Sequence, residues 1–165
     1  MIIGHGDIAG ILKDREDRVY FASGVSNSLE TRESEYGREL SLILTQDLNR
    51  HLVYFGSLCI FYSDTRYAQH KRLMEDLVKM NFSHHTIVRM GNITWGTNPH
   101  TLLNFLRNNK GAEIRDVYRY VVDKDEFLHW IDMIPEWNCE MNITGRRLKV
   151  KDIMEEYGSL NPNPR

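Results

Sequence analysis

The stretch His51–Lys71, HLVYFGSLCIFYSDTRYAQHK, decides how this chain is read. His51 to Phe55 is a run of apolar, β-branched and aromatic residues, the pattern of a strand buried on both faces. The run continues into Gly56-Ser57, which puts a hydroxyl at the strand's carboxyl end. From Tyr67 to Met80 the residues Met74, Leu77 and Val78 make one apolar stripe, with Arg72, Glu75, Asp76 and Lys79 off it. The spacing predicts a helix, on which Tyr67 and Lys71 share a face. A phenol near pKa 10 is a poor base at neutral pH, and an ammonium beside it favours the phenolate. Tyr67 is thus a candidate to exchange a proton with a substrate hydroxyl or carbonyl. An exposed tyrosine and a solvated lysine would show the same spacing; the strand and Ser57 ahead of them favour the chemical reading.

Upstream, Met1 to Ile3 is a short apolar strand feeding Gly4-His5-Gly6, and Ile8, Ile11 and Leu12 follow at helical spacing. Gly4-His5-Gly6-Asp7-Ile8-Ala9 fits G-x-G-x-x-G/A between a strand and a helix, where bare backbone N–H groups and a helix N-terminus can meet a diphosphate. A plain tight turn uses the same residues, and Asp7 reads either as a negative charge beside the phosphate or as a helix cap. Val19 to Ala22 is a second strand, bounded by Ser23-Gly24. Tyr36, Leu40, Ile43, Leu44 and Leu48 mark a long helix from Thr31 to Asn49.

Downstream, His85 to Met90 reads as a strand. Pro99 precedes a helix through Leu102, Leu103 and Leu106 that stops before Gly111. Val117 to Val122 is a strand, Asp123 to Ile134 a helix, Met141 to Thr144 a strand and Val150 to Tyr157 a last helix. Strands alternating with helices predict an α/β three-layer sandwich with a mostly parallel sheet of about five strands, ligands binding beyond the strands' carboxyl ends. The expected organisation is one domain over residues 1–160 with a flexible tail at 161–165.

The chain has 165 residues, 41% hydrophobic and 27% charged, which suits a globular domain. Its formal charge is -2 with no basic block, so nucleic acid is not the expected partner. The apolar run Leu52 to Tyr62 is interrupted by Gly56 and Ser57 and falls short of the roughly 20 residues of a membrane span. The first residues lack a basic segment followed by a long apolar one, so a secretory signal is not expected and the location expected is cytoplasmic. Cys59 and Cys139 read as reduced core residues, the histidines show no metal-ligand spacing, and Trp95, Trp130 and Trp137 read as packing.

The order glycine turn, strand, Ser57, then the helix with Tyr67 and Lys71, resembles the short-chain dehydrogenase/reductase superfamily, in particular its extended, NAD-dependent epimerase/dehydratase-like branch. Arg18 to Ser28 looks like the family's strand and loop over the cofactor, and Val53 to Phe61 like its catalytic-serine strand. Arg89-Met90-Gly91-Asn92 is similar to its R-x-G-N segment, while Tyr118 to Asp125 and Met141 to Thr144 resemble later stretches. The resemblance implies a Rossmann-like fold. It further implies Tyr67 as catalytic acid/base, Lys71 as its tuner and a cofactor-ribose contact, and Ser57 as hydrogen-bond donor to the reacting oxygen. Gly4, Gly6, Ala9, Ser23 and Asn92 would contact NAD or NADP, although Asn92 also suits plain turn chemistry.

Only about ten residues separate the glycine turn from the strand at Val19, where the family inserts two more strands and a helix, so the chain resembles a shortened form lacking the adenosine-side strands. Asp14, Glu16 and Asp17 come too early to be the acid that holds the adenosine ribose about 20 residues after the glycines. The function expected is an NAD(P)-dependent oxidoreductase or epimerase/dehydratase-like enzyme acting on a sugar nucleotide or related hydroxyl or carbonyl compound. The alternative is a non-catalytic remnant that binds a nucleotide or a protein. The family also implies a homodimer through the helices near 31–49 and 67–80, with Tyr36, Leu40, Leu44, Leu73 and Met80 as the exposed stripes.

Overall fold

The structure is a computed structural model and describes residues 1–109, 111, 113–114 and 116–158. In chain order its elements are β1 (Ile2–Ile3), β2 (Arg18–Phe21), α1 (Glu33–Leu44), β3 (His51–Ser57), α2 (Arg66–Asn81), β4 (His85–Met90), β5 (Asn92–Ile93), α3 (Leu102–Asn108), β6 (Tyr118–Val122), α4 (Lys124–Asp132), β7 (Cys139–Ile143), β8 (Arg146–Lys149) and α5 (Val150–Tyr157). β1, β2, β3, β4 and β7 lie side by side in that order, all parallel, with Ile3 opposite Phe21 and Ser57 opposite Met90. The expected α/β sandwich with a five-stranded parallel sheet is the one observed. The tail at 161–165 lies outside the described residues.

Alternation along β2 and β3 builds the two cores. Val19, Phe21, Leu52 and Tyr54 face α1 and α2, where they meet Ile43, Met74 and Val78. Tyr20, Val53 and Phe55 face the other way, onto Leu12 and the α4 residues Phe127 and Ile131. Each fully buried aliphatic or aromatic side chain contributes about 1.5–3 kcal/mol, so these two layers hold the sheet without disulfides.

The link from β1 to β2 crosses the α4 face, whereas the link from β2 to β3, through α1, crosses the other. The carboxyl ends of β1 and β2 are therefore the point at which successive connections leave to opposite faces, where open α/β sheets hold their ligands. β1 is an edge strand of two residues, short enough to discourage pairing with another chain.

Several expectations are corrected. The helix predicted after the glycine turn is a single 3₁₀ turn, Ala9–Ile11, after which Leu12 is extended. Too few residues remain before β2 to offset helix nucleation, and Ile8, Ile11 and Leu12 are held by packing against the sheet instead. α1 ends at Leu44 rather than Asn49, because Thr45 and Gln46 turn their side chains back to the Leu42 carbonyl and Asp47 forms a turn with Asn49. β6 joins a second, three-stranded sheet, β5-β6-β8, in which it pairs antiparallel with β8. β8 has the sequence RRLK and shows no apolar alternation that would announce it. Cys59 and Cys139 are free but half-buried rather than core, and only Trp95 of the three tryptophans is buried.

Candidate functional site

Ser57 is the last residue of β3, and its Oγ accepts a hydrogen bond from Cys59 N at 3.2 Å, starting the 3₁₀ turn Leu58–Phe61. The chain then reaches Thr65, whose Oγ1 caps α2 by accepting from Ala68 N. This short return sets Tyr67 in the first turn of α2, with its phenol beside Ser57. Lys71 follows one turn later with its Nζ 5.7 Å from the centre of the Tyr67 ring. Ser57, Tyr67 and Lys71 are thus brought together as the spacing predicts.

The Lys71 ammonium, however, donates to Glu39 Oε1 at 3.0 Å and to the Tyr54 hydroxyl at 3.1 Å. Glu39 comes from α1 and is closed to solvent. It also accepts from Tyr54 Oη at 2.8 Å and from Val25 N at 2.7 Å, and His70 Nε2 lies 3.0 Å from its Oε2. Burial alone would raise the Glu39 carboxyl, but Lys71, His70 and the Val25 N–H together hold it well below the usual carboxylate range. The Tyr67 phenol moves the other way. Burial pushes it up, the neighbouring Cys59 and Glu39 add to the rise, and the Ser57 hydroxyl only partly opposes them. At neutral pH Tyr67 is therefore a protonated phenol, an acid rather than a base.

Glu39, Tyr54 and His70 are the members of this cluster that the sequence reading missed. A signal was available: Tyr36, Glu39 and Ile43 recur at three and four along α1, and all three are buried, so Glu39 is an acid on the core stripe. On α2, His70, Lys71 and Glu75 likewise share the buried side with Met74 and Val78.

At the switch point, Gly4 has φ +118°, and a side chain there would strike the Ala22 carbonyl, so β1 and β2 come closer at their ends than any other residue would allow. Gly6 is open, with nothing near the place a side chain would occupy. Ala9 is buried. Asp7 caps no helix. Its carboxylate accepts from Thr97 N and Asn98 N, both at 3.0 Å, and its carbonyl accepts from Trp95 Nε1, which clasps the turn to the segment after β5. Ser23 accepts from Arg38 through both its carbonyl and its hydroxyl, and Asn92 donates to the Tyr120 carbonyl within the second sheet. A groove of about 140 Å³ beside this point is lined by Gly24, Ser26, Asn27, Arg38 and His100 among others. It is smaller than the roughly 300–1,000 Å³ of most ligand pockets. Among the described residues no group of three or more His, Cys, Asp or Glu side chains is placed to hold a metal, and no helix is long and apolar enough to cross a membrane.

No family model and no curated protein matches the chain. Solved structures do. WbmG of Bordetella bronchiseptica, in complex with NAD, matches over 88% of this chain at 14% identity and TM-score 0.60. A UDP-galactose 4-epimerase matches over 86% at 14% identity and TM-score 0.59, and RMD from Pseudomonas aeruginosa, complexed with NADPH, over 84% at 15% identity and TM-score 0.60. The likeness is one of fold. This chain covers 57%, 61% and 62% of those three chains, under two thirds of each. Its sheet is the same Rossmann-like arrangement, and β1 stands at its edge.

Proposed function

We propose that this chain is a shortened NAD(P)-dependent enzyme of the epimerase/dehydratase kind, acting on the hydroxyl or carbonyl of a sugar nucleotide or related compound. The observation that carries the reading is the Tyr67 phenol, beside Ser57 and one helical turn from Lys71, at the carboxyl edge of a parallel sheet. NAD or NADP is the cofactor proposed, supported by the WbmG and RMD complexes named above; a further WbmG structure holds NAD and UDP.

In this reading the phosphates of such a cofactor lie at the glycine turn, where Gly6 is open, with Gly4, Ala9, Ser23 and Asn92 proposed as its further contacts, and Asp7 sets a negative charge against them. The adenosine side fits less well, because among the described residues no strand lies beyond β1. When bound, the nicotinamide ring supplies or takes up a hydride at the substrate carbon. Ser57 holds the substrate oxygen, and Tyr67 gives that oxygen its proton as the carbonyl is reduced, recovering it in the reverse direction. Burial keeps the phenol protonated and so suits it to the donor role.

A second reading, a non-catalytic scaffold that binds a nucleotide or a protein, is favoured by the Asp7 clasp, which occupies two backbone N–H groups at the switch point. Calorimetric titration with NAD, NADH, NADP and NADPH, followed by turnover assays with UDP-sugars, separates the two. Cofactor binding and a turnover lost in Tyr67→Phe support the enzyme; binding without turnover supports the scaffold. Binding of none of the four overturns the cofactor assignment. A homodimer through the outer faces of α1 and α2 belongs to the same proposal. Leu44, Leu73 and Met80 are exposed there, whereas Tyr36 is buried and Leu40 packs on the core, so the patch is smaller than the sequence suggests. Light scattering that gives a monomer mass would remove it.

A further inference from the structure

We propose that Glu39 is a positioning residue of the Ser57–Tyr67–Lys71 constellation, holding the Lys71 ammonium in a closed ion pair that withholds its charge from Tyr67 and its reach from a bound ribose. The inference rests on the acid/base reading of Tyr67 and adds the residue that controls it.

The first argument is saturation. Glu39 Oε1 takes hydrogen bonds from Lys71 and Tyr54, while its Oε2 takes the Val25 N–H and faces His70. A carboxylate with both oxygens so engaged keeps its position, and the lysine it holds keeps its own. The Lys71 side chain is 3% exposed and that of Glu39 0%.

The second is access. A side chain on Gly24 would come within 2.7 Å of Lys71 Nζ and 2.8 Å of Glu39 Oε1, so the backbone following β2 lies directly on the ion pair. No ligand hydroxyl fits between that backbone and the ammonium. The Val25 N–H donated to Glu39 fixes this loop in place.

The third is charge. The groups packed around the pair are Tyr36 from α1, Tyr54 and Ser57 from β3, Cys59 from the following turn, and Tyr67, His70 and Glu75 from α2; the loop after β2 presents only backbone. Glu75 is already paired with Arg89 at 2.6 Å, and Arg66 lies over the Tyr36 ring while bonding Glu33. Lys71 and Glu39 thus cancel one another at close range to Tyr67. Removing the Glu39 charge leaves an uncompensated ammonium near two phenols, and an opposite charge at such range draws an acidic group toward ionisation by about 1–3 pH units.

The test uses the full chain with ¹³Cζ-labelled tyrosine, the Tyr67 resonance being assigned by its loss in Tyr67→Phe. In the wild type Tyr67 should stay protonated to the alkaline limit of the fold. In Glu39→Gln Tyr67 should begin to ionise below that alkaline limit, and Glu39→Asp should restore wild-type behaviour. An unmoved Tyr67 in folded Glu39→Gln overturns the inference. A second measurement needs no variant: amine labelling of the native protein read by mass spectrometry should leave Lys71 protected while exposed lysines react, and equal labelling overturns the closed pair. Failure of all four cofactors to bind overturns the functional reading and leaves both of these results standing.

Discussion

Glu39 on α1 and Lys71 on α2 meet at 3.0 Å with neither side chain open to solvent, so the two helices are joined by a charge pair in the core. Removing one partner strands the other charge without water, at a cost of about 3–5 kcal/mol, whereas replacing both with apolar residues is far milder. Lys71→Met should therefore lower the urea midpoint sharply, and Glu39→Leu with Lys71→Met should recover only part of the loss, because the Val25 N–H, the Tyr54 hydroxyl and His70 then lose their acceptor. A double variant that costs the sum of Glu39→Leu and Lys71→Met measured alone would show that the pair contributes no coupling.

The same cluster sets a pH window. The Glu39 carboxyl is depressed in the folded chain, so its stabilisation is present above the unfolded value of 4.5 and is lost as pH falls below it. Tyr54 and Tyr67 are raised, so their contribution is intact below the unfolded value of 10.0 and is lost as pH rises past it. Urea unfolding across pH should show a plateau between these limits and a decline on either side. Glu39→Gln should flatten the acid limb, and an acid limb identical to the wild type would assign that limb to other carboxylates.

The five parallel strands and the helices α1 and α2 were legible because each buries an apolar stripe at its own period. The cluster around Lys71 was half legible. Tyr67, Lys71 and Ser57 announce themselves by spacing along neighbouring elements, but the partner of Lys71 lies on α1, and a pairing across helices leaves no local pattern. The missing helix after Gly6 illustrates the opposite failure. Ile8, Ile11 and Leu12 have helical spacing, yet packing on the sheet satisfies them in an irregular backbone. β8 was illegible because its exposed arginines are held by pairing with β6 rather than by a buried face.

Gly4 tests the closeness of β1 and β2. With φ +118° and the Ala22 carbonyl in the way, Gly4→Ala meets both a strained backbone and a collision, and the cost should reach about 1–3 kcal/mol. Gly6→Ala is the control, since nothing stands near its missing side chain. Thermal unfolding should separate the two variants, and equal midpoints would mean that the turn relaxes freely.

Asp7 decides what the switch point can hold. Its carboxylate takes the Thr97 and Asn98 N–H groups, so these two donors are engaged, and it sets a negative charge in the glycine turn to which a diphosphate would bring its own. Asp7→Ala frees both donors and removes that charge. The clasp is partly exposed, so its loss should cost about 1–2 kcal/mol of stability. If a dinucleotide binds at the glycine turn, its affinity should rise on the order of tenfold in this variant, equivalent to about 1.4 kcal/mol. Calorimetry with NAD and NADP on the wild type and Asp7→Ala measures this directly, with hydrogen exchange at Thr97 and Asn98 reporting that the clasp has opened. An opened clasp with unchanged or weakened affinity would place the phosphates away from Gly4–Ala9.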